Sequence, residues 1–199
     1  MFERGFKSWS ENVAISVRNE LSLQSTDPLP PDRLADHLGI HLWTPRDLEI
    51  DAQDLATLVE EEQDGWSAFT VSWVGRSAIV FNSAHSRRRQ SSDIMHELSH
   101  VVIGHEPARV ALVLDQPLVL RTFDRKQEEE AAWLAGCLLL PRPALLAITD
   151  SGRSESAACL KYMVSEDLLT YRLNVTGVML QISRRKSSKK RGTRRTSSR

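Results

Sequence analysis

His96 and His100 stand four residues apart inside a stretch that is otherwise largely apolar. An α-helix has about 3.6 residues per turn, so the two imidazoles share one face, one turn apart. Ile94, Met95, Leu98, Val101, Val102 and Ile103 surround them with apolar side chains. Such a helix is buried, and buried histidines need polar partners. Two imidazoles at this spacing can hold one zinc ion. Glu97 lies about 100° round the helix from His96, within reach of a water on the metal without being a ligand. Alone, the pattern also fits two satisfied core histidines; a third ligand decides between the readings.

A metzincin-type site would place Gly and His three and six residues past the second histidine. Those positions hold Ile103 and Glu106. His105 falls one residue short, just past the expected helix end, and reads as a rim or structural histidine. The other common source is a carboxylate on a separate downstream helix. Glu128-Glu129-Glu130 opens such a pattern, Gln127–Leu140. Acids at a helix N-terminus also have a bland explanation, since the helix dipole favours them there. The residues themselves leave Glu128 and Glu130 both open as the third ligand.

The remaining patterns place these segments in a mostly helical chain. Phe6, Trp9, Val13, Val17 and Leu21 recur at helical spacing. A short helix over Asp32–Leu38 ends at Gly39, and Ile40–Trp43 reads as a strand closed by Pro45. Asp47–Glu61 carries a helical stripe of Leu48, Leu55 and Leu58. Trp66–Trp73 and Ser77–Phe81 form a hairpin around Val74-Gly75-Arg76. Asn82–Gln90 reads as a polar, arginine-rich loop. The histidine helix ends near Gly104, and Pro141 and Pro143 stop the helix after Leu140. Further helices are expected around Glu155–Met163 and from Ser165, a good N-cap followed by Glu166 and Asp167.

Charge divides the chain. Nine of the 26 Lys and Arg residues lie in Ser183–Arg199, which has no acid; the other 17 face 26 acids in residues 1–182. The expected organisation is one domain over 1–182, with its core at about 30–178, and a disordered basic tail over 183–199. The tail is a solubilising appendage or makes weak nonspecific contact with nucleic acid. No apolar run approaches the roughly 20 residues that span a bilayer, so no membrane association is expected. Met1–Lys7 leads into no apolar core, so no secretory leader is expected. Cys137 and Cys159 sit among apolar neighbours and read as buried hydrophobes, in keeping with a cytoplasmic location.

Several ordered blocks resemble the ImmA/IrrE family of bacterial and phage metallo-endopeptidases. Ser77-Ala78-Ile79-Val80-Phe81-Asn82 precedes an arginine-rich segment and His96-Glu97-Leu98-Ser99-His100. Glu128-Glu129-Glu130-Ala131-Ala132-Trp133-Leu134-Ala135 runs into Leu138-Leu139-Leu140-Pro141, similar to the family's Glu-x-x-Ala-Asn-x-Phe-Ala block and its Leu-Leu-Met-Pro ending. Val164-Ser165 to Arg172-Leu173 and Gly177 resembles its closing helix.

The resemblance implies an α+β, mostly helical zincin-like fold with a small β-sheet beside the metal-binding helix. It implies His96, His100 and Glu128 as Zn2+ ligands and Glu97 as general base, with Glu128 preferred over Glu130 by alignment to Ala131 and Ala135. It further implies a cytoplasmic endopeptidase that hydrolyses a regulatory protein, such as a helix-turn-helix repressor or an antitoxin. No helix-turn-helix module is evident in this chain, so that partner would be separate. Ser77–Phe81 is the expected strand edge for an extended substrate, and Tyr162, Tyr171, His105 and several arginines are candidate oxyanion donors. One departure matters. The family has Asn or Asp four residues after the carboxylate ligand, where this chain has Ala132. Loss of such support typically costs about 10–100-fold in affinity or activity. An alternative expectation is therefore a weak or inactive module that grips a regulator without cutting it.

Overall fold

The computed structural model describes residues 2–48, 51, 65–73, 76–105, 124–152 and 154–185. Its elements are α1 (Phe6–Glu20), α2 (Pro31–Leu38), β1 (His41–Trp43), β2 (Ala68–Trp73), β3 (Arg76–Phe81), α3 (Arg87–Ile103), α4 (Arg125–Leu139), α5 (Arg142–Asp150), α6 (Glu155–Tyr162) and α7 (Glu166–Val175). A last helical stretch covers residues 178–185. The fold is α+β and mostly helical, with one small mixed sheet, as the patterns imply. The helix expected over Asp47–Glu61 falls largely outside the described residues; Pro45–Asp47 forms a 3-10 turn. Residues 186–199 of the basic tail also lie outside them, while residues 183–185 continue the last helix.

The three strands lie in the order β1-β3-β2. β3 pairs parallel with β1, His41 opposite Ala78, and antiparallel with β2, Thr70 opposite Ile79. This corrects one expectation. Ser77–Phe81 belongs to the central strand, whose two sides are both paired, so it offers no edge to a substrate. β2 is the edge strand beside the histidine helix, and its outer side has no partner strand among the described residues.

The segment read as a loop over Asn82–Gln90 ends at Ser86, because α3 starts at Arg87. The Ser86 hydroxyl accepts the Arg89 backbone N–H at 3.3 Å, and arginine is itself a good helix former. A buried polar latch sets the entry to this helix. Asn82 donates to the Trp66 carbonyl and contacts His85, whose Nδ1 lies 3.2 Å from Asp93 Oδ2. Gln90 donates to the carbonyls of Ser83 and His85. The latch joins the end of β3 to the first two turns of α3 and so fixes the direction in which His96 emerges.

One apolar cluster runs from Ala14 and Val17 through Ile79, Met95, Leu98, Leu134 and Leu138 to Val178 and Ile182. In α1 the buried face is Ser10, Ala14, Val17 and Arg18, whereas Trp9 is 42% exposed. The stripe is rotated from the one the apolar residues suggest because Arg18 points inward. Its guanidinium donates to the carbonyls of Ala14, Leu138 and Asp27. Burial lowers its pKa to about 10, so it stays charged at neutral pH.

Arg172, from α7, does the same for the end of α4. It donates to the Leu140 carbonyl and, at 2.6 Å, to Glu11 Oε1, while Glu11 Oε2 accepts the Arg142 N–H that opens α5. Its side chain crosses α4 at Gly136, where an added Cβ would meet Arg172 Cδ at 3.1 Å. Cys137 and Cys159 are free and buried, and burial pushes the Cys137 thiol up to about 12, which makes it inert.

Candidate metal centre

α3 and α4 pack closely side by side, and the site lies between them. Ile94, Met95, Leu98 and Ser99 form the buried face of α3. This leaves His96, Glu97 and His100 on a half-buried flank. In α4, Ala131 and Ala135 are buried one and two turns after Glu128, and their small side chains let the helices approach.

Nε2 of His96 lies 3.1 Å from Glu128 Oε2, and Nε2 of His100 lies 3.1 Å from that of His96. Glu128 Oε1 is 3.7 Å from His100 Nε2. Around a zinc ion with bonds of about 2.0–2.1 Å, tetrahedral ligand atoms stand roughly 3.3 Å apart. The three separations bracket that value, and the ligand atoms all fall within 4.8 Å of one another. Two imidazoles and one carboxylate are also the donor set that leaves a fourth position for water or substrate. The residues therefore fit a metal of the zinc type. Burial first, then the neighbouring His96, pushes the His100 pKa down to about 4, so at neutral pH the imidazole is neutral, the form a metal needs.

Glu97 does not join this cluster. Its Oε2 accepts the Thr70 hydroxyl at 2.8 Å, which ties α3 to edge strand β2. Thr70 was not legible as a site residue, because nothing local in a strand marks one threonine among its neighbours. Glu130 turns away from the cluster. Its Oε2 lies 3.3 Å from His105 Nε2, and His105 Nδ1 lies 3.0 Å from His100 Nδ1. His105 is thus not one of the three clustered residues, yet it touches one of them. The signal for this was Gly104. It takes φ 81°, donates to the His100 and Val101 carbonyls, and turns the chain back so that the His105 N–H also bonds the His100 carbonyl.

Of the candidate oxyanion donors, Tyr162 commits its hydroxyl to the Thr26 carbonyl and Tyr171 rests edge-on against Trp133. Arg18 and Arg172 are spent on the core contacts described above. Ala132 is exposed, one turn beyond Glu128, and offers no polar group. No single helix among the described residues is long and apolar enough to cross a membrane.

No curated protein matches the chain. The sequence profile of the IrrE N-terminal-like domain, a peptidase family, matches residues 50–174, well over half of the 199 residues. That match takes in β2, β3, the whole of α3 and α4, and most of α7. The chain therefore belongs to the IrrE N-terminal-like peptidase family, and its function is of the metallopeptidase type.

Proposed function

We propose that this protein is a cytoplasmic, zinc-dependent endopeptidase that cuts a regulatory protein, a separate DNA-binding repressor or antitoxin being the class of substrate. The observation that carries this reading is the closure of His96, His100 and Glu128 on one point, beside a glutamate that stays out of the cluster. His96, His100 and Glu128 would hold the zinc ion. When bound, zinc supplies Lewis acidity at an open fourth position, making water more acidic and a carbonyl more electrophilic. Glu97 accepts the proton of the attacking water and later delivers it to the leaving amine. The outer edge of β2 takes the substrate backbone as an added strand, which brings a peptide bond alongside Glu97.

Thr70 orients Glu97 in this scheme. Replacing Thr70 with Val keeps the strand and its bulk but removes the hydroxyl donor. Turnover then falls by about 10- to 100-fold with zinc content unchanged, because a misplaced base costs rate and not metal. Steady-state kinetics beside metal analysis checks both halves.

Chelation tests the function as a whole. Dialysis against a chelator should abolish cleavage of a candidate regulator, and one equivalent of zinc per chain should restore it, with fragments identified by mass spectrometry. Cleavage that survives complete zinc removal sinks the proposal. Ala132 favours one second reading, a module that binds the regulator without hydrolysing it. That reading requires complex formation with zinc present, no fragments, and binding unaffected by Glu97→Gln.

A further inference from the structure

We propose that His105 and Glu130 form a positioning relay that sets the proton and the ring angle of His100, so that its Nε2 faces the metal. The inference rests on the reading of His96, His100 and Glu128 as a zinc site and extends it to two residues outside the ligand set.

The argument follows from donors and acceptors. A histidine that binds a metal through Nε2 must carry its proton on Nδ1. His100 Nδ1 lies 3.0 Å from His105 Nδ1. Two N–H groups cannot face each other at that distance, so His105 Nδ1 must be the acceptor. The His105 proton then sits on Nε2, and 3.3 Å away stands Glu130 Oε2, an acceptor. Every step runs one way: Glu130 accepts from His105, His105 accepts from His100, and the His100 Nε2 lone pair is left for the metal. The His105 and Glu130 side chains are 8% and 10% exposed, so water competes little for these bonds.

Two features of the chain build the relay. Gly104 in the left-handed region folds His105 back over the last turn of α3. Glu130 lies two residues after Glu128, on another side of α4, where it meets the returning chain. On the outer side of the relay, Lys126 Nζ stands 3.8 Å from Glu130 Oε1 and 2.6 Å from Glu3. Ligand histidines commonly pass their second nitrogen directly to a carboxylate. Here a second imidazole is interposed, so the carboxylate acts one residue further out.

The test measures zinc affinity of the full chain by competition with a chromophoric chelator. His105→Phe keeps a ring of similar size but can neither accept nor donate. His105→Gln can still accept from His100 through its carbonyl and donate to Glu130 through its amide. We expect His105→Phe and Glu130→Ala to weaken zinc binding by about 10- to 100-fold, with melting curves showing folded protein, and His105→Gln to recover most of the loss. Long-range 1H–15N spectra of the zinc-loaded protein should show His105 as the Nε2–H tautomer and His100 as Nδ1–H. The relay is overturned if both His105→Phe and Glu130→Ala bind zinc as wild type does, if Gln recovers nothing, or if His105 is the Nδ1–H tautomer. Wild type that binds no zinc contradicts the metal site itself, a separate and recognisable outcome.

Discussion

Glu97→Gln should lower endopeptidase turnover by about 100- to 10,000-fold while zinc remains bound at wild-type level. The substitution is nearly isosteric, and the amide oxygen can still accept the Thr70 hydroxyl that Glu97 Oε2 accepts at 2.8 Å. The orientation of the side chain is therefore retained. What is lost is a group that can take a proton from water and return it to the amine. Because Glu97 stands outside the cluster of His96, His100 and Glu128, zinc binding should be untouched. Kinetics and metal analysis on the same preparation separate the two effects. A Gln variant that cleaves like wild type would remove Glu97 from the chemistry; one that loses its zinc would make it a ligand.

The second large effect is on stability. Arg172→Leu should destabilise the protein by about 3 kcal/mol, the lower end for breaking a buried pair, because Glu11 keeps some contact with water. In a chain of this size that lowers the melting temperature by about 6–12 °C. Arg172 is fully buried, and its loss strands the Leu140 carbonyl and Glu11 Oε1 together. Glu11 also holds the first N–H of α5, so α1, α4, α5 and α7 all meet at this group. Thermal melting followed by circular dichroism reads the shift. The site lies at the other end of α4, so zinc affinity at temperatures where the variant is folded should hardly change. A melting temperature within a degree or two of wild type would show that the guanidinium contributes no net stability.

The parts of the site that follow helical periodicity were legible in the sequence. Four-residue spacing puts His96 and His100 on one face, and an acid at the start of a later amphipathic helix supplies the third group. Caps were equally plain: the Ser165 hydroxyl accepts the Leu168 N–H, and Gly39 and Gly104 end their helices. What escaped depends on tertiary pairing. Whether Ser77–Phe81 is an edge or a centre is decided by β1, which returns from far upstream to pair with it. Arg18 hides the true face of α1, since periodicity counts an arginine as solvent-facing. Pro141 and Pro143 read as a stop for α4, but they also begin α5, where proline is well tolerated in the first turn. Glu128 is preferred over Glu130 only by the family alignment; that the left-handed turn at Gly104 brings His105 round to Glu130 was not legible in the sequence.

Zinc stoichiometry tests the central claim most directly. Wild type, Glu128→Ala and Glu130→Ala would be purified alike, equilibrated with saturating zinc, freed of excess metal by gel filtration, and measured by elemental analysis. The account predicts one zinc per wild-type chain and loss of nearly all metal in Glu128→Ala. It predicts retention in Glu130→Ala at saturating zinc, with weaker affinity only on titration. Full zinc in Glu128→Ala, or its complete loss at saturation in Glu130→Ala alone, would contradict the assignment of His96, His100 and Glu128 as the metal site.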